Sequence, residues 1–370
     1  MLSQPSPPSG FETQVRTVEK TGYTAYYITL FLKKGETTAS FFERFVSILT
    51  DYHATLLRVT ILGEVEAYAA CMKELKEAGG EILYPVTWIE GNNGKDKPIS
   101  GLTAVAVSGV PVEPVVLSDR IVGSVFETSL SKRLYLGNLF STNATLPEPV
   151  QTEQLFDSIM EILGQVGMNF SHIIRTWYYL DDILGWYDQF NKVRTKFFEK
   201  QGVFEGLVPA STGIGGKNPL GTALTFEAIA IQPKTEETKI MDAESPKQGS
   251  AMSYGSSFSR AVEVAEPGCR TVYISGTASI DQEGNTVFLN DIDKQIDKTM
   301  DVVSGILQTC DMTFADVVRS VVYVKEAKDI PAFQHYYLEQ AYAFPAIEGE
   351  NTVCRDNLLF EIEVDALKKV

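Results

Sequence analysis

The sequence is poor in the two residue types that most often build metal sites and disulfide frameworks. Its 370 residues include four cysteines and three histidines, and His53, His172 and His335 lie too far apart in the chain to form a metal-binding motif. Four cysteines in so long a chain do not make a disulfide framework. We therefore expect reduced, mostly buried thiols, a cytoplasmic protein, and no metal or cofactor.

Long apolar runs and an excess of positive charge are also missing. No stretch of about 18 apolar residues occurs, so no membrane association is expected, and the N-terminal stretch MLSQPSPPSG lacks the features of a signal peptide. The 48 acidic residues outnumber the 32 basic ones, which gives a formal net charge of −16. Nucleic-acid binding is not expected, because it needs clustered lysines and arginines. A small anionic substrate stays compatible if arginines gather locally.

One segment pattern, in contrast, occurs three times. Each copy alternates strand, helix, strand and helix, and it ends in a pair of strands that begins at a proline. An arginine marks the second strand of each copy, at Arg58, Arg175 and Arg319, which are 117 and 144 residues apart. A period of this length indicates tandem domains rather than short solenoid repeats.

The repeats predict an α+β protein of three units, each a mixed β-sheet covered by helices on one face. We place a degenerate first unit at residues 1–116, a second unit at 117–234 and a third at 257–370. The polar, weakly periodic stretch 235–256 is predicted to be a linker between the second and third units.

The third copy carries the segments ISGTASIDQEGNTV, ADVVRSVVYVK and EIEV in the order found in Rid (YjgF-type) proteins. The sequence resembles this superfamily over the second and third copies, whereas the first copy is assigned on the pattern alone. Rid units have a chorismate mutase-like fold and form trimers with small-molecule sites in the clefts between subunits. The resemblance implies an intramolecular pseudo-trimer, and it leaves open whether the chain is a monomer or a homo-oligomer.

A narrower resemblance is to the chorismatases, which look like tandem Rid units and cleave the enolpyruvyl group from chorismate. The resemblance is carried by four segments in order: YDQFNKVR from Tyr187, PASTGIG from Pro209, SPKQGSAMSYGSSFSRA from Ser245 and VCRDNLLFEIEV from Val353. It implies a cofactor-independent enzyme that acts on a small carboxylate substrate.

An acid in the last strand, Glu361, is the candidate general acid. The chorismatase resemblance implies that it protonates the methylene carbon of the enol ether. We expect Thr225 and Thr103 at the equivalent points of the other two copies, so one copy alone keeps the acid. The alternative is an edge-strand glutamate that faces water.

Rid deaminases carry an arginine directly after a Pro-Ala pair, where it holds the substrate carboxylate. This chain has Val86, Ser211 and Ile347 near those positions. None of the three can form a bidentate pair with a carboxylate. Imine deamination of the Rid type is therefore not expected.

Further site residues are implied around the acid. Cys354 corresponds to a position that is cysteine in some chorismatases and accompanies formation of an aromatic hydroxybenzoate; the alternative is a buried structural thiol. Arg355 and Arg194 are candidates to hold two carboxylates, with surface salt bridges as the alternative. The other candidate substrate-binding residues come from the α-helical motif, from a turn whose backbone N–H groups suit an anion, and from the third unit: Tyr187, Thr212, Gly213, Gly215 and Gly276.

Three functional hypotheses follow. The first is an enzyme acting on an enol-ether dicarboxylate, with chorismate as the specific expectation and Glu361 as the acid. The second is a Rid-like protein whose clefts bind a metabolite carboxylate without turnover, which the missing arginines favour. A Rid-type deaminase or ribonuclease ranks below both. The first hypothesis requires that Glu361, Cys354, Arg355 and Arg194 converge on one cleft.

Overall fold

Three mixed β-sheets with helices make up the part of the chain that the computed structural model describes, namely residues 12–91, 93 and 97–370. The N-terminal stretch MLSQPSPPSG lies outside these residues. The first unit contains β1 (Thr13–Lys20), β2 (Tyr23–Phe31), α1 (Thr38–Asp51), β3 (Thr55–Gly63), α2 (Tyr68–Gly79), β4 (Val86–Glu90) and β5 (Ile99–Ser108).

The second and third units each contain six strands and two helices. The second consists of β6 (Glu113–Leu117), β7 (Arg120–Glu127), β8 (Ser131–Leu139), α3 (Glu148–Gln165), β9 (Ile173–Leu180), α4 (Ile183–Lys200), β10 (Ala210–Gly215) and β11 (Leu224–Pro233). The third consists of β12 (Lys239–Ala243), β13 (Ala261–Glu266), β14 (Cys269–Ala278), α5 (Ile292–Thr309), β15 (Val317–Val324), α6 (Ile330–Glu339), β16 (Ile347–Glu350) and β17 (Phe360–Lys369).

The same strand order recurs in every unit. The first sheet has the order β1-β2-β5-β3-β4, and its equivalents are β7-β8-β11-β9-β10 and β13-β14-β17-β15-β16. In each unit the last two strands of this order are parallel, and the other neighbours are antiparallel. The predicted α+β architecture of three similar units with mixed sheets is therefore confirmed.

The stretch 235–256, predicted to be a linker, contains a strand. Its residues Lys239–Ala243 form β12, which pairs with β13 at the edge of the third sheet. The matching edge strand of the second sheet, β6, begins at Glu113, before the predicted unit boundary at residue 117. Both strands expose most of their side chains, so neither shows the apolar alternation by which a half-buried strand is recognised.

The three units pack around a pseudo-threefold axis. The parallel edge strand of each unit contacts the next sheet: β4 lies against β8, β10 against β14, and β16 against β2 and β5. Helices cover the outer face of each sheet, and the inner faces form a common core that includes the equivalent residues Leu57, Ile174 and Val318. The clefts between units therefore lie where two sheets meet, and every cleft has side chains from two units.

The three arginines that mark the repeat lie buried at the centre of this core. Arg58 pairs with Glu227 of the second unit at 3.1 Å, and Arg175 pairs with Glu363 of the third unit at 3.1 Å. Arg319 donates to Thr103 of the first unit at 3.3 Å. Each guanidinium thus reaches the central strand of the next unit. Removing one partner of such a buried pair typically costs about 3–5 kcal/mol, so these contacts tie the three units together.

This arrangement corrects the predicted equivalence of Thr103 and Glu361. By strand pairing, Thr103 occupies the position of Glu227 and Glu363, and Gly101 occupies the position of Glu361. The prediction was two residues out of register. Apolar alternation repeats every two residues, and a shift of two leaves the pattern unchanged.

Within the described residues, no helix is long and apolar enough to cross a membrane. All four cysteines are free thiols, as predicted. Among the same residues, no group of three or more histidine, cysteine, aspartate or glutamate side chains is arranged to hold a metal ion.

Candidate functional site

A pocket lies in the cleft between the second and third units, where β10 contacts β14. Its wall combines side chains of α4 and β10 with side chains of β14, β17 and the segment that precedes β17. The structure brings together seven of the nine predicted site residues here: Tyr187, Arg194, Gly213, Gly276, Cys354, Arg355 and Glu361.

Glu361 lies inside its sheet rather than at an edge. β17 has β14 on one side and β15 on the other, and Glu361 is opposite Ala278 and Tyr323. Its side chain is only 4% exposed, so the alternative of a water-facing glutamate is wrong. Within the described part of the chain, the carboxyl group has no hydrogen-bond or ion-pair partner. It lies against Gly276, where any larger side chain would overlap with Oε1 of Glu361.

The surroundings of Glu361 favour its protonated form. Burial raises the pKa of this carboxyl to about 8, the negative charge of Glu363 adds to the rise, and Arg175 opposes it. Glu363 itself is held ionised, because Arg319 and Arg175 lower its pKa. At neutral pH Glu361 is therefore mostly a neutral acid that can donate a proton.

Arg194 is buried without a countercharge. Its side chain is 1% exposed, and its guanidinium lies 5.2 Å from the ring of Phe190 and 5.7 Å from that of Tyr178. Nη2 donates to Asn191 at 2.8 Å, and Nε has no hydrogen-bond partner among the described residues. No carboxylate lies within 4.0 Å of it among the described residues, so the surface salt bridge alternative is wrong. A buried guanidinium with a free N–H donor and no carboxylate nearby among the described residues suits an anionic ligand.

Two further arginines line the pocket. Arg355 is half-buried and donates to the carbonyl oxygen of Gly284 at 2.7 Å. Arg260 was not predicted; it donates through Nε and Nη2 to the carbonyl oxygen of Gly249, both at 3.0 Å. Arg260 belongs to the SFSRA segment that carried the chorismatase resemblance, which was the only signal that pointed to it.

Tyr187 and Cys354 form the wall between the pocket and the outside. The Tyr187 ring stacks on Phe190 with centroids 5.9 Å apart, and a Cβ at Gly213 would lie 3.1 Å from its hydroxyl oxygen. Burial raises the pKa of the Cys354 thiol to about 12, and the charge of Glu361 adds to the effect. Cys354 is therefore a neutral thiol at physiological pH rather than a thiolate nucleophile.

Two predicted substrate-binding residues do not line the pocket. The Thr212 hydroxyl accepts hydrogen bonds from Nη2 of Arg175 at 2.7 Å and from the backbone N–H of Gly276 at 3.1 Å. Gly215 donates its N–H to the carbonyl oxygen of Thr352 at 2.7 Å. Both residues join the second unit to the third. Thr212 misses the pocket because side chains alternate along β10, so Ser211 and Gly213 face the cavity and Thr212 faces away.

The pocket continues into a wider cavity. The inner part, next to Glu361, has a volume of about 60 Å³, and the outer cavity, which we call the vestibule, has about 540 Å³. The two share the lining residues Tyr187, Ser256, Cys354 and Arg355. The vestibule extends along the exposed face of α4 as far as Glu199.

Comparison with known proteins supports the resemblance inferred from the sequence. Residues 131–230 match the family model described as chorismatase FkbO/Hyg5-like, N-terminal, and residues 249–368 match the endoribonuclease L-PSP model. A chorismatase crystal structure aligns with a TM-score of 0.66 and 18% sequence identity, over 94% of this chain and 99% of that chain. The chain has the chorismatase fold.

Shorter solved structures align with about a third of the chain. Yeast Mmf1 and the YjgF gene product of E. coli each share 18% identity over 35% of this chain, with TM-scores of 0.30 and 0.28. The alignments cover 100% and 99% of those chains. The predicted similarity to tandem Rid-like units and to the chorismatases is confirmed by the two family models together with the chorismatase structure. The pocket lies between the two matched segments, since Tyr187 and Arg194 belong to one and Glu361 to the other.

Proposed function

We propose that this protein cleaves the enolpyruvyl ether of a chorismate-like dicarboxylate and releases pyruvate, with Glu361 as the general acid. The observation that carries the proposal is the state of Glu361: it is buried, lacks a partner among the described residues, and has a pKa raised to about 8. It lies in a pocket that three arginines line, Arg194, Arg260 and Arg355. The chorismatase fold of the chain is consistent with this chemistry.

The reaction needs one proton donor and one water molecule. Glu361 donates its proton to the methylene carbon of the enol ether, so a C–H bond forms as the C=C bond is lost, and an oxocarbenium ion results. The carboxylate left on Glu361 stabilises this cation. Water adds to the cation and returns a proton to Glu361. The hemiketal then breaks at the bond between its former enol carbon and the ether oxygen, and its hydroxyl proton passes to that oxygen, which gives pyruvate and a cyclic hydroxy acid. An aromatic hydroxy acid forms when this cyclic product loses one water molecule.

The arginines are assigned to the substrate carboxylate that enters the pocket beside Glu361. Arg194 is the strongest candidate, because it is buried and has an unpaired Nε, and its planar guanidinium matches a carboxylate in a bidentate way. Cys354 lies beside the reacting region as a neutral thiol. Its role is to shape the pocket where the product leaves, rather than to form a covalent intermediate.

A binding protein without turnover would use the same arginines, and it is the alternative that the experiment must exclude. A Rid-type deaminase is less well supported, because Ser211 lines the pocket near the position where those enzymes carry arginine. The Ser211 hydroxyl instead accepts a hydrogen bond from Thr176 at 3.0 Å.

The test is pyruvate release from chorismate, followed with lactate dehydrogenase, for the wild type and the Glu361→Gln variant. We expect release by the wild type and a loss of about 10²–10⁴-fold in the variant, which is the usual contribution of a general acid. Glu161→Gln, at an exposed position of α3, is the matched control and keeps full activity. Absence of release by a folded wild-type protein would contradict the enzymatic proposal and favour the binding protein.

A further inference from the structure

The inner pocket is too small to hold a whole ring-bearing substrate. Its volume of about 60 Å³ leaves room for a few water molecules, whereas sites for small-molecule ligands usually measure about 300–1,000 Å³. The vestibule, at about 540 Å³, falls in that range. A ligand whose ether group contacts Glu361 must therefore extend past Tyr187 and Cys354 and place its remaining groups in the vestibule.

The floor of the vestibule is one face of α4. Its side chains are spaced by three or four residues, as on one side of a helix. Two of them, Lys192 and Lys196, lie one turn apart and are exposed. Neither forms an ion pair within 4.0 Å in the described part of the chain. Their ammonium groups are thus open to an anion in the vestibule.

The vestibule is locally positive although the protein is strongly acidic. Three cations line it, Lys192, Lys196 and Arg355, against two acids, Asp188 and Glu199. The chain as a whole has a formal net charge of −16. A positive cavity in a negative surface attracts anions toward one entrance and keeps them away from the rest of the surface. The arrangement favours a ligand with negative charge at both ends, one end in the inner pocket and the other in the vestibule.

We propose that Lys192 and Lys196 form an outer subsite for a carboxylate, and that the ligand of this cleft is a dicarboxylate spanning the inner pocket and the vestibule. The inference rests on the proposed function for the identity of the inner group, since it places an enol ether beside Glu361. It adds that the second carboxylate is held by α4 outside the wall formed by Tyr187 and Cys354. A monocarboxylate that fills the inner pocket alone does not use this subsite.

Calorimetric titration with two probes tests the subsite without turnover. Benzene-1,3-dicarboxylate carries two carboxylates, one for each region, and benzoate carries one only. In the double variant Lys192→Gln/Lys196→Gln we expect the dicarboxylate Kd to rise about tenfold and the benzoate Kd to change less than about twofold. Lys200→Gln, an exposed lysine on the same helix outside the vestibule, leaves both Kd values unchanged.

Three results would overturn the subsite: no binding of the dicarboxylate to the wild type, an equal loss for both probes in the double variant, or the same loss in Lys200→Gln. The pyruvate assay separates this outcome from the proposed function. If the double variant releases pyruvate with an unchanged KM, the outer subsite is contradicted and the proposed reaction stands. If the double variant loses dicarboxylate binding selectively and the wild type releases no pyruvate, the outer subsite stands and the proposed reaction is contradicted.

Discussion

The cleft between the second and third units is open at a pocket beside Gly213, whereas at the cleft between the first and second units the equivalent strand carries a large aromatic side chain. Strand pairing places Trp88 where the open cleft has Gly213. Trp88 is buried and packs against Gly63 and Tyr68. Gly213 therefore leaves space beside Tyr187 in the pocket, whereas the indole of Trp88 packs into the core of the first unit.

The acid differs between the same two clefts. Thr225 pairs with Tyr179 in the second unit as Glu361 pairs with Tyr323 in the third. Gly276 corresponds to Asn138, since each donates its N–H to the threonine of the facing strand. In the third cleft Gly101 takes the place of the acid and lies against Ile347. The difference between the clefts thus comes from a few side chains that leave space for a desolvated carboxyl group, and not from the fold.

Replacing Glu361 by threonine introduces the residue that the second unit carries at the equivalent position, Thr225, and it has the largest expected effect. Pyruvate release should fall by about 10²–10⁴-fold because the proton donor is lost. Binding of benzene-1,3-dicarboxylate should persist, since the arginines remain. A variant that keeps more than about a tenth of the wild-type rate would show that Glu361 is not the acid.

Gly276→Ala is expected to displace the acid without disturbing the fold. The added methyl group overlaps with Oε1 of Glu361, the mobile end of a side chain, so the carboxyl moves rather than the backbone. A displacement of about 1 Å at a reacting group can cost about a hundredfold in rate. Steady-state kinetics should show the loss in kcat, with thermal unfolding close to that of the wild type. Unchanged kcat would mean that the contact between Gly276 and Glu361 has no functional role.

Gly213→Trp places in the open cleft the residue that the first unit carries at the equivalent position, Trp88. The indole must occupy the space beside Tyr187, because a Cβ at this position already lies 3.1 Å from the tyrosine hydroxyl oxygen. We expect the affinity for benzene-1,3-dicarboxylate to fall at least about tenfold, as the inner pocket closes. The reverse change, Trp88→Gly, should leave binding intact and lower stability by about 3–5 kcal/mol through the cavity it creates.

The smallest effect concerns stability and pH. The pKa of Glu361 rises from an ordinary 4.5 to about 8 in the folded protein, so the folded state holds this proton over a range in which the unfolded chain has lost it. The stability linked to this proton is complete below about pH 4.5 and is lost as the pH rises to about 8. Glu361→Gln should therefore be more stable than the wild type at pH 9 and closer to it at pH 4. Equal differences at both pH values in urea unfolding would contradict the raised pKa.

The repeat architecture could be predicted from the sequence because its markers have a physical cause. Arg58, Arg175 and Arg319 each reach the central strand of the next unit, so an arginine at this point is needed in every copy. The edge strands β6 and β12 gave no such marker, since their side chains are mostly exposed. These two edge strands were missed, whereas the edge strands β4, β10 and β16, which follow the proline markers, were found.

The candidate site was predicted in part for similar reasons. Glu361, Cys354, Arg355 and Arg194 converge on one cleft, as the enzymatic hypothesis required. The direction of each side chain of β10 was not available from the motif, so Thr212 was placed with its neighbours although it faces the other way. The charge and volume of the vestibule depend on how α4 lies against the third unit, which the sequence of either element does not define.

The proposed reaction requires a protonated Glu361, and NMR titration tests this protonation state without any substrate. Protein labelled with ¹³C at the glutamate carboxyl carbon can be titrated beside the Glu361→Gln variant, and the difference between the two spectra identifies the resonance of Glu361. We expect the titration of Glu361 to have its midpoint near pH 8, with the carboxyl mainly protonated at neutral pH. A midpoint near the ordinary value of 4.5 would contradict it, because an ionised Glu361 has no proton to give.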